Sequence, residues 1–300
     1  MSSHQPSLIG ENPVHRVGFG AMQLAGPGVF GPHPDPDRCR AVLRRAVELG
    51  VDHIDTSQFY GPDVVNALIR DALHPYPENL RLVTKVGARR DDQGAWLRDD
   101  EPESLKAQVE ENLRTLRVDR LALVNLRRED LDGPGNVQPD LDGQLQALAD
   151  LRDAGKIDMI GVSNASIDTV RRAIETVGIG EVQNPFSILD QSDRPVLELT
   201  GDHDVAYVPY FPLGSAFTGG PAAIEADPSV QEVAAKHGVT GSQVALAWVL
   251  AQGDHVLLIP GTSSIAHLED NMRVADVVLD GEDLALLAGF VTPDGAVPAH

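Results

Sequence analysis

The chain has 300 residues, of which 42% are hydrophobic and 23% are charged, fractions that are ordinary for a globular protein. Its 45 acidic and 24 basic residues give a formal net charge of −21, which repels phosphate backbones and anionic lipids, so we expect neither a nucleic acid nor a membrane surface as partner. No apolar run approaches the roughly 18 residues of a membrane-spanning helix. A single cysteine, Cys39, excludes an internal disulfide and a cysteine-based zinc site. The N-terminal sequence has no secretory pattern, and a cytoplasmic location is expected.

Short apolar segments alternate with amphipathic helical patterns along the whole chain. The apolar segments have the length of buried parallel strands, and they are predicted at 17–20, 51–55, 81–85, 121–125, 158–163, 181–184, 205–209 and 256–260. Apolar residues at helical spacing, such as Leu105, Val109, Leu113 and Leu116, indicate the helices between them. These helices are predicted at 36–49, 62–73, 103–116, 140–154, 167–177, 194–200, 240–251 and 264–272.

Eight strands that are each followed by a helix predict a (β/α)8 TIM barrel, formed as one domain over residues 1–300. The rival is an open, doubly wound sheet, which usually carries a glycine-rich dinucleotide turn after its first strand. Here Gly18 and Gly20 are followed by Met22 and Gln23 instead, so the barrel is preferred. The glycine- and proline-rich connections at 26–36 and 214–228 are candidate lid loops.

The carboxyl ends of barrel strands usually carry the catalytic groups. Three side chains there, Asp55, Tyr60 and Lys85, form a plausible proton donor. A lysine ammonium lowers the pKa of a nearby tyrosine, and a carboxylate keeps that lysine charged, so the phenol could protonate a carbonyl oxygen. The alternative is a structural ion pair beside a capping tyrosine. The histidines are scattered and predict no metal site.

Several motifs, in this order along the chain, resemble the aldo-keto reductase superfamily. They are HIDTSQFYG at 53–61, LVTKVG at 82–87, GVSN at 161–164, VQNPF at 182–186, YFPLGS at 210–215 and IPGTSSIAHLEDN at 259–271. The resemblance implies a (β/α)8 barrel that binds NADPH (or NADP+) in an extended pose. It also implies that Tyr60 is the proton donor and that Asp55 and Lys85 support it.

The resemblance implies a set of cofactor-binding residues as well. Ser163, Asn164 and Gln183 match the residues that bind the nicotinamide carboxamide, and Tyr210 matches the aromatic residue on which the ring stacks. Phe211, Leu213 and Ser215 match the loop along the pyrophosphate, and Gly261, Thr262, Ser263, Ser264, His267, Asp270 and Asn271 match the adenosine end.

Two positions at the adenosine end differ from many family members. Gly261 stands where some members have a lysine, and His267 where they often have an arginine, so the preference for NADPH over NADH is expected to be weaker. The alternative interpretation of Thr262 and Ser264 is ordinary helix capping.

A third difference lies at the end of the fourth predicted strand, where most family members carry a histidine and this chain has Arg127. Because arginine keeps its proton, it cannot act as a general acid or base. It can stabilise a developing oxyanion and lower the pKa of Tyr60. The alternative is that Arg127 pairs with Glu129 or another carboxylate and that activity is lost.

The segments 18–32, 124–127 and 260–272 resemble the bacterial pyridoxal reductases within this superfamily, a group that shares the arginine. This closer resemblance implies NADPH-dependent reduction of pyridoxal to pyridoxine, reversible as a pyridoxine 4-dehydrogenase activity. Met22, Gln58, Trp96 and Arg127 are then candidates for the substrate pocket, although Met22 and Trp96 could equally serve packing. A different aldehyde or ketone as substrate, and a cofactor-binding regulatory subunit with little turnover, are the alternatives. The chain is expected to be a monomer or a weak homo-oligomer.

Overall fold

The computed structural model describes residues 7–9, 12–132, 140–214 and 220–290. In this part of the chain the strands are β1 (Ser7–Ile9), β2 (Asn12–Val14), β3 (Phe19–Gly20), β4 (His53–Asp55), β5 (Arg81–Arg90), β6 (Trp96–Asp99), β7 (Leu121–Arg127), β8 (Ile157–Ser163), β9 (Glu181–Gln183) and β10 (Ala206–Tyr207). The α-helices are α1 (Pro36–Glu48), α2 (Val64–Leu73), α3 (Pro102–Leu116), α4 (Leu141–Asp153), α5 (Ile167–Thr176), α6 (Arg194–Asp202), α7 (Gly220–Ala226), α8 (Pro228–His237), α9 (Gly241–Leu250), α10 (Ile265–Met272) and α11 (Gly281–Leu287).

Parallel pairing joins β3, β4, β5, β7, β8, β9 and β10 side by side in chain order. Residues 256–258 close this sheet, because Val256 bridges to Tyr207 of β10 and Leu258 bridges to Val17 just before β3. The Gly18 amide completes the closure by donating to the Leu258 carbonyl over 2.8 Å. Helices alternate with these strands, so the fold is a (β/α)8 barrel, as predicted, and the doubly wound alternative is wrong.

The predicted strand at 256–260 is reduced to the two bridges at Val256 and Leu258. Its last residue, Pro260, has no N–H to give to a ladder, which ends regular pairing there. Sequence patterns also did not predict the antiparallel hairpin β1–β2. That hairpin contributes Ile9 and Val14 to a small apolar cluster, which also contains Leu257.

Two connections differ from the predictions. The candidate lid loop at 214–228 contains helix α7, and α8 begins at Pro228; residues 215–219 lie outside the described part of the chain. Helix α2 begins at Val64 rather than at Pro62, because Asp63 has the left-handed backbone conformation (φ 65°) that ends the preceding turn.

Within the described ranges, no helix is long and apolar enough to cross a membrane. The same residues contain no group of three or more histidine, cysteine, aspartate or glutamate side chains placed to hold a metal ion. The single-domain interpretation of residues 1–300 stays a prediction.

Candidate active site

The barrel brings the three predicted proton-transfer residues together at the carboxyl ends of its strands. Asp55 is the last residue of β4, and Lys85 lies on β5, two residues beyond the position that pairs with Asp55. Lys85 Nζ forms an ion pair with Asp55 Oδ1, and both side chains are buried. Tyr60 lies in the turn after β4, with its ring centroid 5.4 Å from Lys85 Nζ.

The environment of Tyr60 changes its acidity in a direction opposite to the prediction. Burial, together with the Asp55 charge, raises the pKa of Tyr60 more than Lys85 and Arg127 lower it. The net pKa is therefore above the ordinary value of a tyrosine, and the predicted net lowering is wrong. Burial alone would lower the pKa of Lys85, but Asp55 and Tyr60 outweigh it and raise this pKa. Hence at neutral pH the phenol keeps its proton and the ammonium keeps its charge.

A second buried carboxyl group, Glu181, belongs to the same cluster and was not predicted as functional. Gln183 Nε2 donates to Asp55 Oδ2 over 2.8 Å and to Glu181 Oε1 over 2.6 Å. Asn125 Nδ2 donates to the same Glu181 oxygen over 2.8 Å. Burial, followed by repulsion from Asp55, raises the pKa of Glu181 to about 7. The signal was in the sequence: residues 181 and 183 of one strand face the same side of the sheet, here the barrel interior.

Arg127, the last residue of β7, lies between the cleft and two carboxylates. Its guanidinium nitrogens are 3.7 Å from Glu129 and 3.6 Å from Asp132, and its side chain is 24% exposed. These are ion pairs at distances too long for hydrogen bonds. The pairing alternative therefore describes part of its environment, yet the Arg127 charge still lowers the pKa of Tyr60.

A cleft of about 850 Å³ opens above Asp55, Tyr60 and Lys85. Its lining includes both Trp96 on β6 and His267 on α10. The predicted residues that line it are Met22, Asp55, Tyr60, Lys85, Trp96, Arg127, Ser163, Asn164, Gln183, Tyr210, Phe211, Leu213, Gly261, Thr262, His267, Asp270 and Asn271.

A family model, the Aldo/keto reductase family, matches residues 16–291. The chain belongs to the aldo/keto reductase family. This aldo-keto reductase is therefore an oxidoreductase. It is 44% identical to the Escherichia coli (strain K12) pyridoxine 4-dehydrogenase, over 97% of this chain and 99% of that protein. It is 27% identical to a Schizosaccharomyces pombe aldo-keto reductase named for NADP(+), over 90% of this chain and 86% of that one.

Among solved structures, the aldo-keto reductase is similar to a thermostable aldo-keto reductase in complex with the inhibitor epalrestat. The two chains are 26% identical with a TM-score of 0.76, and the match covers 92% of this chain and 95% of the other. This similarity agrees with the closed barrel described above.

One expected pocket residue of the aldo-keto reductase does not line the cleft. Gln58 is buried behind the wall, where its Oε1 accepts from Asn112 Nδ2 over 2.9 Å and its Nε2 donates to Gln108 over 3.4 Å. These partners on α3 hold its amide among polar side chains of the wall, and the assignment of Gln58 to the substrate pocket stays a prediction.

Asn164 and Tyr210 both line the cleft, but they bind each other. The Tyr210 hydroxyl donates to Asn164 Oδ1 over 2.9 Å. Asn164 Nδ2 donates to the Arg128 carbonyl and to Asp132, each over 2.9 Å. Both atoms of the Asn164 amide are thus hydrogen-bonded to protein groups. Ser163 and the amide oxygen of Gln183 remain as polar groups of the cleft that a ligand could bind.

At the other end of the cleft, two of the expected serines serve local structure. Ser264 caps α10 by accepting from the His267 amide, as the capping alternative expects. Ser263 accepts from Arg38 over 3.3 Å, and neither serine lines the cleft. Ser215 lies outside the described residues.

Glu225 is an unpredicted carboxylate in the cleft wall, located on α7 where a loop was expected. Its oxygens accept from the amides of Gly241 and Ser242 at the start of α9, over 3.2 Å and 2.8 Å. Those donors compensate its charge. Lys85 and Arg127 are the lysine and arginine of the described lining, and neither belongs to the 259–271 segment, so an anionic ligand there would depend on hydroxyls, backbone N–H groups and the His267 imidazole.

Proposed function

We propose that this aldo-keto reductase uses NADPH to reduce an aldehyde to an alcohol, and that the aldehyde is pyridoxal, giving pyridoxine. The observation that carries the reaction type is the buried arrangement of Asp55, Lys85 and Tyr60 at the floor of the cleft. The 44% identity with the E. coli pyridoxine 4-dehydrogenase supports the substrate. The NADP(+)-named relative supports the cofactor.

The cleft offers groups that fit a nicotinamide. The amide oxygen of Gln183 is buried and has no hydrogen-bond partner among the described residues, so it can accept from the carboxamide. Ser163 lines the cleft beside it, and Tyr210 presents an aromatic ring to the same space. Phe211 and Leu213 would follow the pyrophosphate.

The adenosine end would be held by Gly261, Thr262 and His267, together with Asp270 and Asn271. Because the lining supplies few cations there, we expect a modest preference for NADPH over NADH.

Tyr60 supplies the proton in this proposal. Its raised pKa keeps the phenol protonated at neutral pH, so the donor is ready when a carbonyl oxygen accumulates negative charge. When bound, the reduced nicotinamide supplies the hydride that is added to the carbonyl carbon. The Tyr60 proton then passes to the oxygen, and Lys85 and Arg127 stabilise the phenolate that remains. Asp55 holds Lys85 in its charged form.

The substrate end of the cleft suits a flat ring with polar edges. Phe59 and Trp96 form an aromatic wall, with ring centroids 5.4 Å apart in an edge-to-face arrangement. Met22 adds an adaptable apolar contact to the lining, and Arg127 adds a cation. Pyridoxal combines an aromatic ring with hydroxyl, hydroxymethyl and aldehyde groups, which matches this mixture.

The proposal is tested by following the loss of NADPH absorbance with a panel of aldehydes and ketones that includes pyridoxal. The highest kcat/KM with pyridoxal is the expected result. Turnover with other carbonyl compounds only would contradict the substrate but keep the reaction. Tight NADPH binding without turnover of any carbonyl compound would contradict catalysis altogether and favour a regulatory role.

A further inference from the structure

Glu181 is a fully buried carboxyl group that the proposed mechanism does not use. It begins β9 and is 1% exposed. Its Oε1 atom accepts two hydrogen bonds, from Asn125 Nδ2 and from Gln183 Nε2. Burying a carboxyl group costs folding free energy unless the group is hydrogen-bonded. We therefore expect Glu181 to have a role beyond packing.

Glu181 and Asp55 bind the same atom of Gln183, its amide nitrogen. An ionised carboxylate only accepts hydrogen bonds, so Gln183 must turn Nε2 toward both acids when both are ionised. Its other amide atom, Oε1, must then point away from them. That oxygen has no hydrogen-bond partner among the described residues, and Gln183 lines the cleft. The two acids thereby decide which atom of Gln183 is left for a ligand.

The neighbouring strand leaves room for this arrangement. Gly161 on β8 pairs in register with Asn125 on one side and with Glu181 on the other. A Cβ atom at Gly161 would lie 2.2 Å from Asn125 Oδ1 and 3.0 Å from the Glu181 carbonyl oxygen. A larger residue at 161 would therefore displace Asn125, and the side-chain contact between Asn125 and Glu181 depends on this glycine.

On the basis of the proposed NADP(H)-dependent function, we propose that Glu181 is a positioning residue, which fixes the amide of Gln183 so that its oxygen faces the nicotinamide carboxamide. Asp55 alone could hold one hydrogen of Gln183 Nε2. Glu181 holds the nitrogen from a second direction and so restricts rotation of the amide.

The charges around Glu181 add a dependence on pH. Among the described residues, the titratable groups that act on it are Asp55 on β4 and Lys85 on β5, whereas its register neighbours Gly161 and Ala206 do not titrate. Two acids therefore share one cation, and burial together with Asp55 raises the pKa of Glu181 to about 7. The positive ring of NADP+ adds a second cation, so NADP+ should bind more tightly as Glu181 ionises with rising pH.

The test compares two ligands by calorimetry between pH 6 and pH 8. One is NADP+, and the other is adenosine 2′,5′-bisphosphate, which has the adenosine and the 2′-phosphate but lacks the nicotinamide. In the unmodified protein, the affinity for NADP+ relative to the bisphosphate should rise severalfold across this range. In Glu181→Gln, the Kd of NADP+ at pH 8 should increase about tenfold, the rise with pH should disappear, and the Kd of the bisphosphate should stay within twofold.

A matched control is Asp193→Asn. Asp193 is also a buried acid whose pKa is raised to about 7, chiefly by burial, but it binds the Tyr207 hydroxyl over 2.7 Å and does not line the cleft. This variant should leave the relative affinity and its pH dependence unchanged.

The outcomes distinguish failure of the positioning role from failure of the proposed function. An unchanged Kd of NADP+ in Glu181→Gln, or an equal loss for both ligands, would overturn the positioning role. The same change in Asp193→Asn would also overturn it. Should Glu181→Gln not fold, the pH series of the unmodified protein decides, since a flat relative affinity contradicts the inference and a rising one supports it. Failure of the unmodified protein to bind NADP+ at any pH would instead overturn the proposed function.

Discussion

Gly20 and Gly261 approach each other so closely that neither position has room for a side chain. A Cβ atom on Gly261 would lie 2.6 Å from the Gly20 carbonyl oxygen, and one on Gly20 would lie 2.4 Å from the Ile259 carbonyl oxygen. Both glycines line the cleft. The chain thus has a close backbone contact at Gly261, and any side chain placed there would have to displace the Gly20 carbonyl.

The first prediction tests this contact. Gly261→Ala should lower the free energy of unfolding by about 2 kcal/mol, because the neighbouring backbone must move to admit the methyl group. The control is Gly281→Ala at the start of α11, where an added Cβ meets nothing within 4 Å. That variant should be neutral or slightly stabilising. Urea unfolding measures the free energy of unfolding of both variants. Equal values for the two would contradict the close approach of Gly20 and Gly261.

The second prediction concerns the proton donor. Tyr60→Phe should reduce turnover by about 100- to 10,000-fold, because it removes only the acidic hydroxyl. The Kd of NADPH should stay within about twofold of its original value. Tyr76→Phe is the control, since the Tyr76 hydroxyl donates to the Leu116 carbonyl over 2.7 Å and lies outside the cleft. Steady-state kinetics would reject the assignment if Tyr60→Phe retained near-normal rates.

The third prediction concerns the arginine that replaces the usual histidine. Since the Arg127 charge lowers the pKa of Tyr60, Arg127→Met should raise that pKa and move the alkaline limb of the reduction profile to higher pH. Turnover should also fall by roughly 100-fold through loss of a cation near the oxyanion.

Arg127→Lys keeps the charge and should leave the alkaline limb near its original position. Arg120→Met, at an exposed ion pair with Asp158, is the distant control and should change neither quantity. A pH–rate profile that is identical in Arg127→Met and the unmodified protein would show that Arg127 does not act on Tyr60.

The barrel could be predicted from the sequence because parallel strands buried on both faces appear as short apolar runs, and helices appear as periodic patterns. The prediction was less accurate where those patterns are weak. Helix α7 begins at Gly220-Pro221, residues that are typical of loops, and β10 has only two residues. The closing segment ends at Pro260, so its pairing is limited to isolated bridges. Such details depend on tertiary contacts that local propensity does not contain.

The sequence likewise predicts only part of the candidate site. Motif positions predicted which residues meet around Asp55, but the acidity of Tyr60 depends on its burial, which no motif reports. A strand-end position also does not reveal which way the Gln58 side chain turns, and here its amide oxygen accepts from Asn112. The sequence does not single out Glu181, because a glutamate at the start of an apolar run indicates only a strand. Its significance appears once Gln183 and Asn125 are seen to bind it.

The fourth prediction concerns Arg90, which joins the two loops at the substrate end of the cleft. Its guanidinium donates to the carbonyls of Val29 and Gly94 and lies 4.1 Å from the centroid of the Trp96 ring. Arg90→Gln should release Trp96, raising KM for an aromatic aldehyde severalfold with little change in kcat. The control is Arg89→Gln, at the exposed neighbouring position on β5. Equal KM values in the two variants would contradict a role for Arg90 in forming the aromatic wall.

The fifth prediction concerns stability and pH. Glu181 and Asp193 both have their pKa raised to about 7 in the folded protein, chiefly by burial. A raised carboxyl pKa means that the folded state holds its proton more tightly than the unfolded chain. This contribution to stability is fully present below the unfolded-state pKa of about 4 and is lost as the pH rises through about 7. Carboxylates with lowered pKa values, such as Asp52, change stability only at more acidic pH.

The free energy of unfolding should therefore fall between pH 5 and pH 8, with each buried acid contributing on the order of 3 kcal/mol. Glu181→Gln and Asp193→Asn should each reduce this slope, and the double variant should nearly remove it, because the two acids share no partner. Urea unfolding at pH 5, 6, 7 and 8 measures the effect. A stability that stays constant or rises over this range would show that both acids are already ionised in the folded protein, and that their burial is offset by hydrogen bonds stronger than the distances to Gln183 and Tyr207 indicate.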